Sequence, residues 1–260
     1  MDREKILNLL DNDVDKMAVA HGLDCAQMAA DKNMIKETNF LDPYHQEIIT
    51  KATKDIFGVR YILEGGYPES ERKKIIFYPD FLKAEDVEGE IAYLEITGAG
   101  LEKCNHRDYL GAILGLGLKR EKIGDIIVFD QGCQVIVSPD IATFILANLT
   151  KVKNVTVQVK EIYPHQLKIT ESKVKEITGT VASLRLDAVA SLGFGISRTK
   201  VVALIKGEKV KVSYKPINNP SYTVKEGEII SIRGRGRIEI AEVGNLTKKN
   251  RIHLKIKKYL

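Results

Sequence analysis

The stretch SLRLDAVASLGFGISRTKVVALIKGEKVKV, Ser183 to Val212, decides how the last third of the chain folds. Leu186, Val189 and Ala190 fall at i, i+3 and i+4, one apolar stripe of a short helix that Gly193 can close. Ser197 is suited to cap a second helix, because its hydroxyl can accept from the orphan N–H groups of a first turn. Val201, Leu204 and Ile205 supply that helix's stripe, with Lys206 in its last turn, and Gly207 ends it. Arg198 and Lys200 stand in the first turn, against the helix dipole, a placement that becomes favourable when an external phosphate lies at the helix start. In Lys209-Val210-Lys211-Val212 the period of two sets the lysines on one face of a strand and the valines on the other.

Further toward the C-terminus, Arg233, Arg235 and Arg237 are expected to project from one face of a strand, while Gly234 and Gly236 let another backbone approach the opposite face. Arginine suits bidentate phosphate contacts and stacking on bases. Lys248 to Lys258 adds six basic residues, with Ile252, Leu254 and Ile256 alternating beneath them as in a basic-faced strand. The whole chain has 40 Lys+Arg and 35 Asp+Glu, a formal net charge of +5, but the charge is unevenly spread. Residues 1–80 carry 11 basic and 15 acidic side chains, residues 81–180 carry 12 and 14, and residues 181–260 carry 17 and 6, or +11. A basic module on a neutral-to-acidic body favours a nucleic-acid partner, since phosphate neutralisation supplies most non-specific affinity. A membrane surface is disfavoured, because no apolar anchor accompanies the charge.

Upstream of this module, positions 1–60 read as helical. Ile6, Leu7, Leu9 and Leu10 cluster on a short amphipathic turn, and Asp42-Pro43 caps and opens a helix through Ile48, Ile49, Ala52 and Ile56 that Gly58 stops. Strands follow at Val59 to Leu63, Ile75 to Tyr78 and Ile91 to Ile96. Asn105 caps a helix to about Leu116, in which Gly111 and Gly115 are expected to allow close packing on a sheet. Ile126 to Phe129 and Cys133 to Val137 form a hairpin, Ser138-Pro139 opens a helix to about Leu149, and Val155, Val157 and Val159 alternate as a strand. From Ile91 the order is β-α-β-β-α-β, the ferredoxin-like arrangement. The expected class is α+β: a mainly helical part at 1–72, a ferredoxin-like domain resembling RNA-recognition domains at 73–163, a linker at 164–178 and the basic α/β module at 179–260.

Composition narrows the chemistry. Apolar residues make up 44%, ordinary for a globular chain. The longest apolar run, Tyr109 to Leu118, is broken by three glycines and falls short of the roughly 20 residues a membrane helix needs. The first residues show no secretory signal, and Cys25, Cys104 and Cys133 are odd in number and far apart, which fits a reducing cytoplasm. Cys104 and His106 make no zinc set by themselves, and Gly98-Ala99-Gly100 lacks the third glycine of a dinucleotide loop, so neither metal nor cofactor is expected. His106-Arg107-Asp108 invites a catalytic reading, but a helix start explains it with less. Lys119 and Arg120 after that helix, with Arg107, are a candidate second RNA surface. The aromatic stacking motif of RNA-recognition domains is missing around Tyr93 and Phe129.

The ordered runs Ser-Leu-Arg-Leu-Asp, Gly-Ile-Ser-Arg-Thr-Lys, Leu-Ile-Lys-Gly-Glu-Lys-Val-Lys-Val and the arginine-glycine repeat resemble the RNA-binding domain named after ribosomal small-subunit protein four, the S-four domain, over about residues 183–240. That resemblance puts Arg185, Ser197, Arg198, Lys200 and Lys206 on an RNA-binding surface. Where many S-four domains have Val-Asn-Gly, this chain has Val212-Ser213-Tyr214. His106 to Ala112, Gly124-Asp125-Ile126 and Arg233 to Arg237 further resemble motifs of the bacterial YlmH family over nearly the full length. The resemblance implies a non-enzymatic protein that binds ribosomal RNA and tRNA on the large ribosomal subunit in quality control of stalled chains, beside a tailing factor; a monomer is expected. The competing reading is an RNA-modification enzyme or accessory of pseudouridine-synthase or methyltransferase type, against which no methyl-donor glycine loop and no synthase aspartate motif is seen. Alanine at Arg185 and Arg198 is expected to weaken RNA binding with little change in melting midpoint.

Overall fold

A computed structural model describes residues 3–8, 10, 13–169 and 174–259. Leu9 of the expected N-terminal cluster and residues 170–173 of the expected linker lie outside the described residues. The chain is α+β and divides into two compact units, Met1–Thr170 and Glu171–Leu260.

The first unit opens with helices α1 (Arg3–Asn8) and α2 (Asp13–Lys32), strand β1 (Lys36–Glu37), helix α3 (Pro43–Thr53) and strands β2 (Val59–Glu64) and β3 (Lys74–Pro79). Asp42 caps α3 as its sequence promises, accepting from His45 N at 3.1 Å. The helix ends at Thr53, ahead of Gly58, whose φ of 79° serves the turn into β2. The three strands form an antiparallel sheet in the order β1-β3-β2, and Leu23, Ala26, Ile49, Ile75 and Phe77 bury the helices against it. Because β3 is paired along its length with β2, a boundary between residues 72 and 73 would cut a hydrogen-bonded hairpin.

The unit continues with β4 (Ala92–Thr97), α4 (His106–Leu114), β5 (Ile123–Phe129), β6 (Gly132–Val137), α5 (Pro139–Asn148), β7 (Lys151–Val152), β8 (Val155–Thr156) and β9 (Gln158–Glu161). The sheet order β5-β6-β4-β9, antiparallel throughout, is the split β-α-β pattern expected from the element order. Leu94, Ile96, Val135 and Val137 face Tyr109, Ile113, Ile141 and Ile145, so both helices cover one face. Three local expectations give way. Val155 pairs in the short β7–β8 ladder while Val159 lies in β9, so no single strand carries the alternating valines. Gly111 is exposed, and a Cβ added there would meet nothing within 4 Å, so it permits no close packing. Ser138 stands at the α5 cap position, but its buried hydroxyl has no hydrogen-bond partner.

The two halves of this unit are joined by Asp125 of β5. Its carboxylate accepts from Tyr67 Oη at 2.9 Å, from Glu71 N at 2.7 Å and from Arg72 N at 3.0 Å. The Arg72 guanidinium in turn donates to Ile123 O at 3.0 Å and Phe40 O at 2.7 Å. Gly124 beside it is required by a close approach: an added Cβ would stand 2.9 Å from the Phe40 ring.

The second unit comprises β10 (Val174–Val181), α6 (Leu186–Phe194), α7 (Arg198–Lys206), β11 (Val210–Val212), β12 (Lys215–Pro216), β13 (Ile229–Ile232), β14 (Gly236–Leu246) and β15 (Ile252–Tyr259). The strands make a six-stranded sheet in the order β10-β15-β14-β13-β11-β12. Helices α6 and α7 turn 116° relative to one another and bury Leu186, Val189, Ala190, Val201 and Ile205 against Val210, Val212, Ile230, Ile238, Ile240 and Ile256. The helix α6 closes on Gly195, at φ 64°, rather than on Gly193. Gly193 sits inside the helix, where a Cβ would come within 2.3 Å of Ile238 Cδ1. No single helix among the described residues is long and apolar enough to cross a membrane.

Candidate nucleic-acid interface

The start of α6 is fixed by the loop before β13: Leu186 N donates to Tyr222 O at 2.8 Å and Asp187 N to Pro220 O at 3.2 Å. This clamp holds the Asp187 side chain inside, 5% exposed. Two arginines converge on it. Arg185 binds with a fork, Nε to Oδ1 at 3.2 Å and Nη2 to Oδ2 at 3.1 Å, and Arg198 Nη2 reaches Oδ2 at 2.8 Å. Burial pushes the Asp187 carboxyl up, but the hydrogen bonds from Arg185 and Arg198 outweigh it and hold the group below the usual carboxylate range. The Arg185 and Arg198 side chains are 40% and 56% exposed, so guanidinium donors not spent on Asp187 face solvent. Ser197 caps α7 by accepting from Lys200 N at 3.3 Å, and Lys200 is exposed beside it. One buried carboxylate thus orients two arginines next to an exposed lysine at a helix start, leaving a surplus of positive charge for an anion.

Asp187 is the residue that sequence reasoning passed over. Its signal was available: it is one of only six acids between positions 181 and 260 and lies two positions after Arg185. Its presence also changes an expectation. Alanine at both Arg185 and Arg198 would strand a buried carboxylate, so the melting midpoint must fall along with RNA binding.

The other predicted residues fall at the far end of α7. Lys206 is exposed in the last turn, and Lys209 and Lys211 are exposed while Val210 and Val212 are buried, as the alternation requires. Arg233 N donates to Lys209 O at 2.8 Å, which sets Arg233 beside Lys209. The three arginines do not share a strand face. Residues 233–235 form the turn between β13 and β14, closed by Arg235 N donating to Ile232 O at 2.9 Å, with Gly234 at φ 87°. Arg233 and Arg235 are therefore exposed at a tip, whereas Arg237 lies half-buried in β14 with its guanidinium 4.7 Å from the Tyr259 ring. The lysines of β15 have acidic neighbours: Lys257 lies opposite Glu176 and Glu239, and Lys255 opposite Glu242, so that strand is not a basic face. Ser213 and Tyr214, at φ 45° and 69°, form the two-residue turn between β11 and β12 where a left-handed backbone would suit Asn-Gly better.

In the first unit, Arg107 and Lys119 are exposed. Arg120 is turned inward: it donates to Ile123 O and, at 3.3 Å, to Gly124 O, and burial together with Arg72 lowers its pKa to about 10. Asp108 serves the helix start, accepting from Asn105 N at 2.9 Å in a capping box and pairing with Lys153 at 2.7 Å. The sheet face away from α4 and α5 is covered by the chain's own segment. Gln134 Nε2 donates to Gln166 O and to Glu95, each at 3.0 Å, Lys168 N donates to Gln134 Oε1 at 2.6 Å, and Lys168 Nζ lies 3.9 Å from the centre of the Phe129 ring. Base stacking on that face is blocked where RNA-recognition domains use it.

Family models match along most of the chain: "YlmH, N-terminal" at residues 14–82, "Putative RNA-binding domain in YlmH" at 85–166 and "S4 domain" at 184–230. The chain is 36% identical over 234 residues to the ribosome-associated protein quality control protein P2 of Bacillus subtilis (strain 168), covering 90% of this chain and 91% of that protein. Over 63 residues, 24% of this chain and 31% of the other, it is 38% identical to small ribosomal subunit protein uS4 of Marinobacter nauticus. Among solved structures, the cell division protein ylmH from Streptococcus pneumoniae shares the fold, with a TM-score of 0.53 at 22% identity, covering 62% of this chain and 98% of that one. By full-length identity and by the order of its three matched domains, the chain belongs to the YlmH family.

Proposed function

We propose that this protein acts without catalysis, as a cytoplasmic RNA-binding factor of the large ribosomal subunit that also holds tRNA during quality control of stalled chains. The observation that carries this reading is the pair Arg185 and Arg198 held on the buried Asp187, with the exposed Lys200 in the same first turn as Arg198, a concentration of positive charge whose arginine donors are already oriented. The Bacillus subtilis relative's name supplies the ribosome and quality control. Lys206, Lys209, Lys211, Arg233 and Arg235 extend the surface along one end of the sheet, and Arg107 and Lys119 are offered as a second contact.

Sedimentation of extract tests the reading. Co-migration with large subunits when translation is stalled is expected, and absence from every large-subunit fraction overturns it. With roughly 6–10 phosphate contacts, affinity for ribosomal RNA should fall about 10³–10⁵-fold between roughly 50 and 200 mM salt, and a flat profile counts against the surface.

A further inference from the structure

The hairpin joining β14 to β15 lies outside residues 184–230 that match the S-four domain model. From Val243 to Tyr259 the chain has no acidic residue, and Lys248 and Lys249 stand exposed at the turn. Among the described residues neither lysine pairs with a carboxylate. Opposite this end of β15, β10 presents Gly179, Thr180 and Val181, again without acid.

The turn is built to hold a shape. Thr247 Oγ1 accepts from Lys249 N at 3.2 Å and from Arg251 N at 3.1 Å, Thr247 N donates to Arg251 O at 2.7 Å, and Asn250 N donates to Thr247 O at 2.9 Å. Asn250 takes the left-handed φ of 52° that asparagine tolerates. Arg251 is spent on anchoring: it donates to Thr180 Oγ1 at 2.9 Å and to Thr180 O at 2.6 Å, fastening the tip to β10. Two unpaired ammonium groups on a stapled turn lose little freedom when they meet an anion, which is the condition for an efficient contact. Strand β14 has 11 residues, so at about 3.3 Å each it sets the tip roughly 35 Å from the Arg233–Arg235 turn at its other end.

We propose that the Lys248–Lys249 tip is a second phosphate-backbone contact on this unit, engaging RNA at the far end of β14 from the Arg233–Arg235 turn. The proposal rests on the RNA-binding reading above. Isolated lysines act on phosphate as point charges and carry no base specificity, so the tip adds affinity and orientation rather than sequence preference. Two lysines fall short of the basic cluster that holds a protein on an acidic membrane.

The test compares the full chain with the variant Lys248→Gln/Lys249→Gln, titrated against purified large ribosomal subunits and against a fluorescent RNA duplex of 30 base pairs over a range of salt. Both lysines are exposed, and circular dichroism checks that the variant is folded. The expected result is continued binding with the slope of log K against log salt reduced by about 2, one unit per lost phosphate contact, and affinity down roughly 10-fold or more in low salt. Wild-type binding with an unchanged slope in the variant overturns the tip alone. Absence of RNA binding by the wild-type chain overturns the RNA reading and the tip with it. As a second readout, p-azidophenylalanine replacing Leu246, 64% exposed beside the turn, should cross-link to RNA on the large subunit, and cross-links to protein only would overturn the assignment.

Discussion

Two pairs of arginines, one in each unit, are used in opposite ways. In the first, the Arg72 and Arg120 guanidiniums are turned onto backbone carbonyls of Phe40, Ile123 and Gly124, and their charge becomes part of the frame that joins the two sheets. In the second, Arg185 and Arg198 share one buried carboxylate, so the site keeps a net positive charge and part of each guanidinium faces water. The number of internal acceptors decides which role an arginine takes. Where acceptors are sufficient the side chain is structural; where two guanidiniums divide one carboxylate, the remainder is offered to an outside anion.

The largest effect is expected at Asp125. Asp125→Ala leaves the Glu71 and Arg72 backbone N–H groups without their acceptor, and at about 1–3 kcal/mol for each lost partner the unit should lose roughly 3 kcal/mol or more in urea unfolding. RNA affinity measured on the intact second unit should be unchanged below the transition. A smaller loss is expected from Arg185→Ala/Arg198→Ala, because Asp187 is left buried and unpaired while both guanidiniums are partly in solvent. Adding Asp187→Asn to that pair should restore most of the midpoint while RNA binding stays weak; recovery of both would mean that the arginines act only on stability.

Proton titration sharpens the contrast. His45 joins α2 to α3, with Nδ1 2.7 Å from Asp42 and Nε2 3.1 Å from Asp15. Burial pushes its pKa down, but the two carboxylates outweigh this and raise it above 6.5. A raised folded pKa makes this contribution fully present below pH 6.5 and lost as pH rises through the folded value. Unfolding midpoints across that range should show a decline that His45→Gln abolishes. Glu95 has the reverse sign: burial raises its pKa, but hydrogen bonds from Lys160, Lys168 and Gln134 bring it down to about 2, so its contribution is lost as pH falls from 4.5 toward about 2. The smallest effect is expected at the β11–β12 turn, where Ser213→Asn/Tyr214→Gly should stabilise the second unit by a few tenths of a kcal/mol, since the left-handed backbone is strained for both present residues.

Much of the fold was legible because the deciding signals are local. The Asp42-Pro43, Asn105 and Ser197 caps, the alternation at Lys209–Val212 and the β-α-β-β-α-β order all depend on residues within a few positions of one another. What escaped depended on partners distant in sequence. Arg120 reads as an exposed cation after a helix, but its neighbour Arg72 lies far earlier in the chain and the two meet only through the packing of the sheets. The arginine-glycine repeat has a strand's alternation, yet it lies at a reversal whose position is set by the pairing of Ile232 with Gly236. The clamp on Asp187 comes from Pro220 and Tyr222, beyond both helices and two strands, and turns an ordinary helix-start acid into the organiser of the candidate site.

The strand β15 has a consequence for the order in which the second unit is made. It lies between β10 and β14, and it pairs Val174, at the start of the unit's first strand, with Tyr259, at the end of its last. Arg185, Asp187 and Arg198 lie close together in sequence, so their mutual attraction can begin while the chain is still being synthesised. The sheet beneath them cannot close until its last strand is released, and until then β10 has no strand to pair with. The charged surface is thus among the earliest parts of the unit that can take shape and its support among the latest, so a shortened product lacking residues 252–259 would present the cations without the scaffold that holds them in register.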